Sequence, residues 1–305
     1  MNAVDQEGTR PRRFSRRSLL IAGASGLGIA GITAGTATGA LPFSEAVQRA
    51  LGVTSTTPVS QLGVAKVERV FSQARNREVD LVTLLPSKNP PKNLPMSLLL
   101  HGLHGRARTA APTGTLAELS SQVARHASPS YGFVAVDGGD NYWHQAHPGD
   151  DPMAMLLEEV PQWLKRRGLG GTDGLPFACT GMSMGGFGGL LYARRRAERR
   201  QPVGALALLA PALILSWTEM AKRGIFRDEA EWASMDPLKH LDATAGVPMA
   251  VYCGTEDSFI DGVRQFMAAT HPAVAYTARG KHGDSFNRTV VPSVVSFVGK
   301  HVPQA

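Results

Sequence analysis

From residue 63 onward, short apolar runs alternate with longer stretches of helical period. Residues 64–71 and 79–85 predict an early antiparallel strand pair, turning near Arg75-Asn76-Arg77. Residues 96–100, 132–136, 175–179, 203–209 and 247–253 are short and predominantly apolar, as strands covered on both faces are. Residues 273–277 predict a further strand. Between these lie helical patterns at 116–126, 151–167, 186–200, 259–269 and 290–301. Asp150 is the expected cap of the 151–167 helix, and Pro152 is tolerated in its first turn. Such alternation predicts an α/β domain with a mostly parallel sheet and helices on both faces. Residues 211–246 are longer than a simple crossover needs and predict a small helical excursion over the side of the sheet where the strands end.

The chain before residue 63 has a different texture. Arg10, Arg12, Arg13, Arg16 and Arg17 precede an uncharged, Gly/Ala/Thr-rich stretch over 18–41. Ser15-Arg16-Arg17-Ser18-Leu19-Leu20 resembles a twin-arginine export signal, and Thr38-Gly39-Ala40 offers small residues for cleavage. The expected organisation is a signal peptide over 1–40, an arm or linker over 41–62 and the α/β domain over 63–305. The expected destination is the cell envelope or the outside of the cell. The alternative is an uncleaved anchor, against which the many glycines argue. The leader contributes +3 of the +7 net charge. The densest remaining basic run, Arg194 to Arg200, falls at a helix end without interleaved aromatics. That is a solvated helix terminus, and no nucleic-acid partner is expected.

The candidate chemistry centres on Gly181-Met182-Ser183-Met184-Gly185, a G-x-S-x-G sequence between a strand and a helix. Such a turn holds a serine in strained backbone and exposes its hydroxyl as a nucleophile. One such match is weak in a chain with 33 glycines. Its weight comes from an acid and a histidine further along the chain. Cys253-Gly254-Thr255-Glu256-Asp257 places acids after a strand end, with Asp257 preferred over its neighbour Glu256. Gly280-Lys281-His282-Gly283 comes after the last strand and supplies a base, His282. Serine, acid and histidine stand in the chain order of the α/β-hydrolase fold. The loop His101-Gly102-Leu103-His104, at another strand end, offers the Leu103 N–H to a developing oxyanion, with the Met184 N–H as second donor.

His101, His104, Tyr142 and Trp143 are candidate pocket residues, the last two as an apolar wall. The spacings His101/His104 and His144/His147 are weak as metal sites, and no metal or cofactor is expected. The expected partner is a small-molecule or lipid ester, with membrane contact only through a retained leader. Cys179 and Cys253 lie on strands expected to flank a third, too far apart for a disulfide, and are expected as buried free thiols.

Taken together, His101-Gly102-Leu103, Gly181 to Gly186 and the Asp257 and His282 loops resemble α/β-hydrolase esterases of the esterase D type and the related mycolyltransferases. The resemblance spans roughly residues 63–305. It implies a serine carboxylesterase, with acyl transfer to a sugar or lipid hydroxyl as the alternative. A non-catalytic envelope protein on the same scaffold is a third reading. Mycolyltransferases carry an acid and an arginine where His101 and His104 stand, and an aromatic-rich segment where Gly283-Asp284-Ser285-Phe286 stands. Both departures favour plain hydrolysis.

Overall fold

The computed structural model describes residues 63–304, so the expected leader (1–40) and arm (41–62) lie outside the described residues. Eight strands form one sheet in the order β1-β2-β4-β3-β5-β6-β7-β8. They are β1 (Val64–Ser72), β2 (Arg77–Leu85), β3 (Met96–Leu100), β4 (Gly132–Val136), β5 (Ala178–Met182), β6 (Ala205–Leu209), β7 (Met249–Gly254) and β8 (Val274–Ala278). β2 pairs antiparallel with β1 and β4, and every other neighbour pair is parallel.

Strand periodicity sorts even the predominantly apolar strands onto two cores. Leu98, Leu100, Val134, Val136, Cys179, Leu208 and Val251 face one core, and Leu99, Phe133, Ala135, Ala178, Leu209 and Tyr252 face the other. Helices α1 (Thr115–Ala124) and α7 (Asp284–Gly299) cover the second face. The first is covered by α2 (Pro152–Arg166), α3 (Met184–Glu198) and α6 (Ile260–Thr270). This is the α/β-hydrolase architecture.

α2 departs from a plain helix. It runs as Pro152–Ala154, a π-helical turn Met155–Glu159, and Val160–Arg166. Its cap is Asp151, whose Oδ1 accepts the Ala154 N–H at 2.9 Å, and not Asp150. Asp150 is drawn away to the buried Arg75, with Nε at 2.6 Å, and to Arg77 at 3.0 Å. The expected strand at 175–179 is found three residues later, because Thr180, Gly181 and Met182 pair with β6 despite their mixed polarity. The closing helix begins at Asp284 rather than 290 and carries Pro292 in its interior. The excursion over 211–246 holds two short helices, α4 (Trp217–Ala221) and α5 (Glu229–Met235).

Both cysteines are buried and unpaired, on β5 and β7 with β6 between them.

Candidate active site

The site is built at the ends of the parallel strands, where loops meet open space. Ser183 leaves β5 with φ 56° and ψ −121°, the strained backbone of a sharp strand-to-helix turn. Its flanking glycines are required by close approach. A Cβ on Gly181 would lie 2.0 Å from the Gly185 carbonyl oxygen, and one on Gly185 would lie 2.1 Å from that of Leu100. The backbone of Ser183 is held firmly. Its N–H donates to Leu209 O at 2.9 Å, and its carbonyl accepts from Gly186, Phe187 and Ala212.

His282 Nε2 lies 2.9 Å from Ser183 Oγ, and His282 Nδ1 lies 2.7 Å from Asp257 Oδ2. A carboxylate can only accept, so Nδ1 carries the hydrogen and Nε2 is left free to receive the serine proton. Asp257 Oδ1 accepts the Phe259 N–H at 2.9 Å, which fixes the carboxylate plane. The Asp257 side chain is fully buried, while that of His282 is about one-third exposed at 34%. Phe259 sets its ring edge-on to His282, centroids 5.1 Å apart. Glu256, the neighbouring acid, points elsewhere and pairs with Arg279 at 2.8 Å on the surface.

The loop after β3 lies directly against the nucleophile. A Cβ on Gly102 would stand 3.2 Å from Ser183 Cβ, so a side chain here would push the loop and the nucleophile apart by a few tenths of an ångström. Among the described residues, no protein acceptor takes the N–H of Leu103 or of Met184. Both remain free to serve a substrate oxygen.

The expected pocket residues divide. His101, Tyr142 and Trp143 are buried and do not form a wall open to a cleft. The His101 ring is a structural strut: Nε2 accepts the Gly138 N–H at 2.9 Å and Nδ1 donates to Gly102 O at 2.8 Å. Burial holds its pKa below the ordinary histidine value. Trp143 fills a slot between Gly138 and Gly188, where an added Cβ would come within 2.4 and 2.3 Å of its ring. Tyr142 packs on Phe187 and Phe226. Only His104 stands at the surface, its ring 3.0 Å from Asp140. Residue spacing placed these side chains near the site but carried no signal of their depth. Asp140, Phe259 and Ala212 also serve the site, and no short motif marks them.

A family model described as "Putative esterase" matches residues 72–288. A comparison with curated proteins finds no match. Among solved structures, a ferulic acid esterase superposes with TM-score 0.65 at 17% identity, covering 79% of this chain and 99% of that one. An S-formylglutathione hydrolase from Agrobacterium tumefaciens gives TM-score 0.64 at 17% identity, covering 82% and 99%. The thermostable carboxylesterase EstE1, cloned from a metagenomic library, gives 0.58 at 16%, covering 85% and 95%. At these identities the likeness is one of fold.

Proposed function

The chain belongs to this esterase family and is a serine ester hydrolase, and from that premise we propose that it is an exported carboxylesterase whose nucleophile is Ser183. The observation that carries this reading is the hydrogen-bonded chain from Asp257 through His282 to Ser183. His282 Nε2 takes the Ser183 proton as Oγ bonds to the ester carbonyl carbon. The carbonyl oxygen becomes an oxyanion and accepts from the Leu103 and Met184 N–H groups. Collapse breaks the bond to the alcohol oxygen, which receives the proton from His282. Water, deprotonated by the same histidine, then attacks the acyl-enzyme and frees the acid and Ser183.

Apolar groups border this chemistry. Phe259 touches His282, Leu103 follows Gly102, and the exposed Leu215 ends a segment whose Ala212 N–H donates to Ser183 O. These suit an uncharged, partly apolar ester. Hydrolysis is preferred to acyl transfer because His101, His104 and the Gly283–Phe286 segment depart from the mycolyltransferase pattern. The Arg16-Arg17 leader supports export through the twin-arginine route.

A fluorophosphonate probe and a series of p-nitrophenyl esters test the reading. Labelling and hydrolysis should both vanish in Ser183→Ala, and labelling that survives would overturn it. A rate that rises on adding trehalose, with transfer product formed, would favour the acyltransferase instead. Accumulation of a shortened chain outside the cytoplasm, abolished by Arg16→Lys with Arg17→Lys, tests the leader.

A further inference from the structure

The loop His101 to Ala107 carries an oxyanion donor yet has little regular structure of its own. The loop after β4 holds it at four points. Gly138 N–H meets His101 Nε2, Trp143 Nε1–H meets His101 O at 3.3 Å, Asp140 meets His104, and Asp137 Oδ1 accepts the Ala107 N–H at 2.8 Å. We propose that Asp140 is a positioning residue for the oxyanion hole, holding the turn that presents the Leu103 N–H. The proposal rests on the assignment of Ser183 as nucleophile and deepens it.

Peptide planes transmit the constraint. Gly105 N–H donates to Gly102 O at 3.0 Å, closing a four-residue turn with Leu103 and His104 at its centre. His104 has φ 59°, while Leu103 is not among the residues of positive φ. Positive φ at the third residue alone is the type II geometry, which normally asks for glycine or asparagine there. A histidine in that position carries backbone strain. Type I and type II turns differ by a flip of the central peptide, so His104 would relax by turning the Leu103–His104 plane over.

Asp140 opposes that flip. Its Oδ1 accepts the His104 N–H at 2.6 Å and its Oδ2 lies 3.0 Å from His104 Nδ1. The two contacts chelate one residue through backbone and ring together. The hydrogen bonds from His104 hold the Asp140 carboxyl below its ordinary value against the opposing effect of its burial, so it stays ionised and acceptor-only. Meanwhile His101 and Gly105 fix the preceding plane through Gly102 O. A trans peptide is rigid, so anchoring Gly102 O sets where the Leu103 N–H points. Leu103 is therefore held from both sides, by His101 before it and Asp140 after it. Flipping the second plane would reverse the Leu103 carbonyl dipole beside the donor and shift a loop that has only glycine-sized clearance from Ser183.

The test compares the full wild-type chain with Asp140→Ala and Asp140→Asn. The readouts are kcat and KM on p-nitrophenyl acetate, inhibition by a trifluoromethyl ketone that mimics the tetrahedral adduct, and Tm. Asp140→Ala should lower kcat by roughly tenfold or more, short of the ~10²–10³ lost when a whole donor is removed. Ketone affinity should fall by the same factor, with KM and Tm close to wild type. Asp140→Asn keeps an oxygen that accepts the His104 N–H and should recover most of kcat. Unchanged kcat and ketone affinity in Asp140→Ala would overturn the proposal. So would a loss confined to KM, which would make Asp140 a substrate contact, or a loss that tracks Tm alone. Wild-type protein that neither cleaves the ester nor binds the ketone would overturn the Ser183 assignment itself. An active wild type indifferent to Asp140 would overturn only the clamp.

Discussion

His282 is fixed by Asp257 and not by the acid beside it: Asp257 Oδ2 lies 2.7 Å from Nδ1, while Glu256 turns outward to Arg279. One residue of register along the loop after β7 separates a buried orienting carboxylate from a solvated surface pair. Asp257→Asn should therefore lower kcat by about 10⁴, because the amide stabilises the wrong imidazole tautomer. Glu256→Gln should leave kcat within about threefold, since exposed ion pairs contribute only ~0–1 kcal/mol. Steady-state kinetics on one ester decides both.

Two adjacent glycines in α3 should respond with opposite signs. A Cβ on Gly188 would meet the Trp143 ring at 2.3 Å, whereas one on Gly189 would meet Cys179 Sγ at an ordinary 3.4 Å. Gly188→Ala should destabilise by about 1–3 kcal/mol through overpacking. Gly189→Ala should be tolerated or stabilise by up to ~1 kcal/mol through helix propensity. Urea unfolding of the two variants checks the contrast.

Acid should weaken the fold before it reaches the carboxylate range. His101 and His144 are buried, and burial depresses the pKa of each below 6.5. Well above pH 6.5 both are neutral folded or unfolded, so their contribution is at its plateau. As pH falls below 6.5, the unfolded chain takes up protons that the folded chain refuses, and stability declines until the folded values are reached. Each such proton contributes a slope of about 1.4 kcal/mol per pH unit. His144 is stacked on Phe226 at 4.5 Å, and among the described residues neither ring nitrogen has a hydrogen-bond partner. His144→Phe should keep that stack and remove one proton from the slope, as measured by urea midpoints between pH 5 and 7.5.

The thiols should be silent in the native protein. Cys179 and Cys253 are buried, and burial pushes the Cys253 thiol up to about 12 and that of Cys179 higher still. A thiol reagent at pH 8 should react with neither, and with both once urea is added. Fast modification of either in the native protein would contradict the packing of β5 and β7.

The sequence was most informative where one physical rule acted alone. Met96–Leu100, apolar but for Ser97, and Gly132–Val136, apolar throughout, lie between loops, and both strands are found with those bounds. The elbow strand is shifted because sheet pairing, not hydrophobicity, brings Thr180 and Gly181 into it. The start of α7 is hidden for a similar reason, since Asn287 is fully buried there without being apolar. Order along the chain brought Ser183, Asp257 and His282 to notice, because each comes after a strand end. Depth is different. Trp143 is buried because glycines at 138 and 188, fifty residues apart, open a slot for it. A slot made by two distant absences of a side chain leaves no local pattern to read.

The hydrogen bonds around Ser183 run through its main chain: its carbonyl serves three donors and its N–H serves Leu209, while only the strained φ of 56° and the Oγ contact to His282 depend on residue type. Glycine would keep every main-chain bond and relieve the strain. A lineage released from selection for turnover would thus find its way out of catalysis at this one codon, gaining stability as it lost the reaction. Descendants of such a chain would keep the eight-stranded sheet, the acid and the histidine as relics around an empty elbow. Serine at 183 thus costs the fold something that glycine would not, and the proposed chemistry is what would offset that cost.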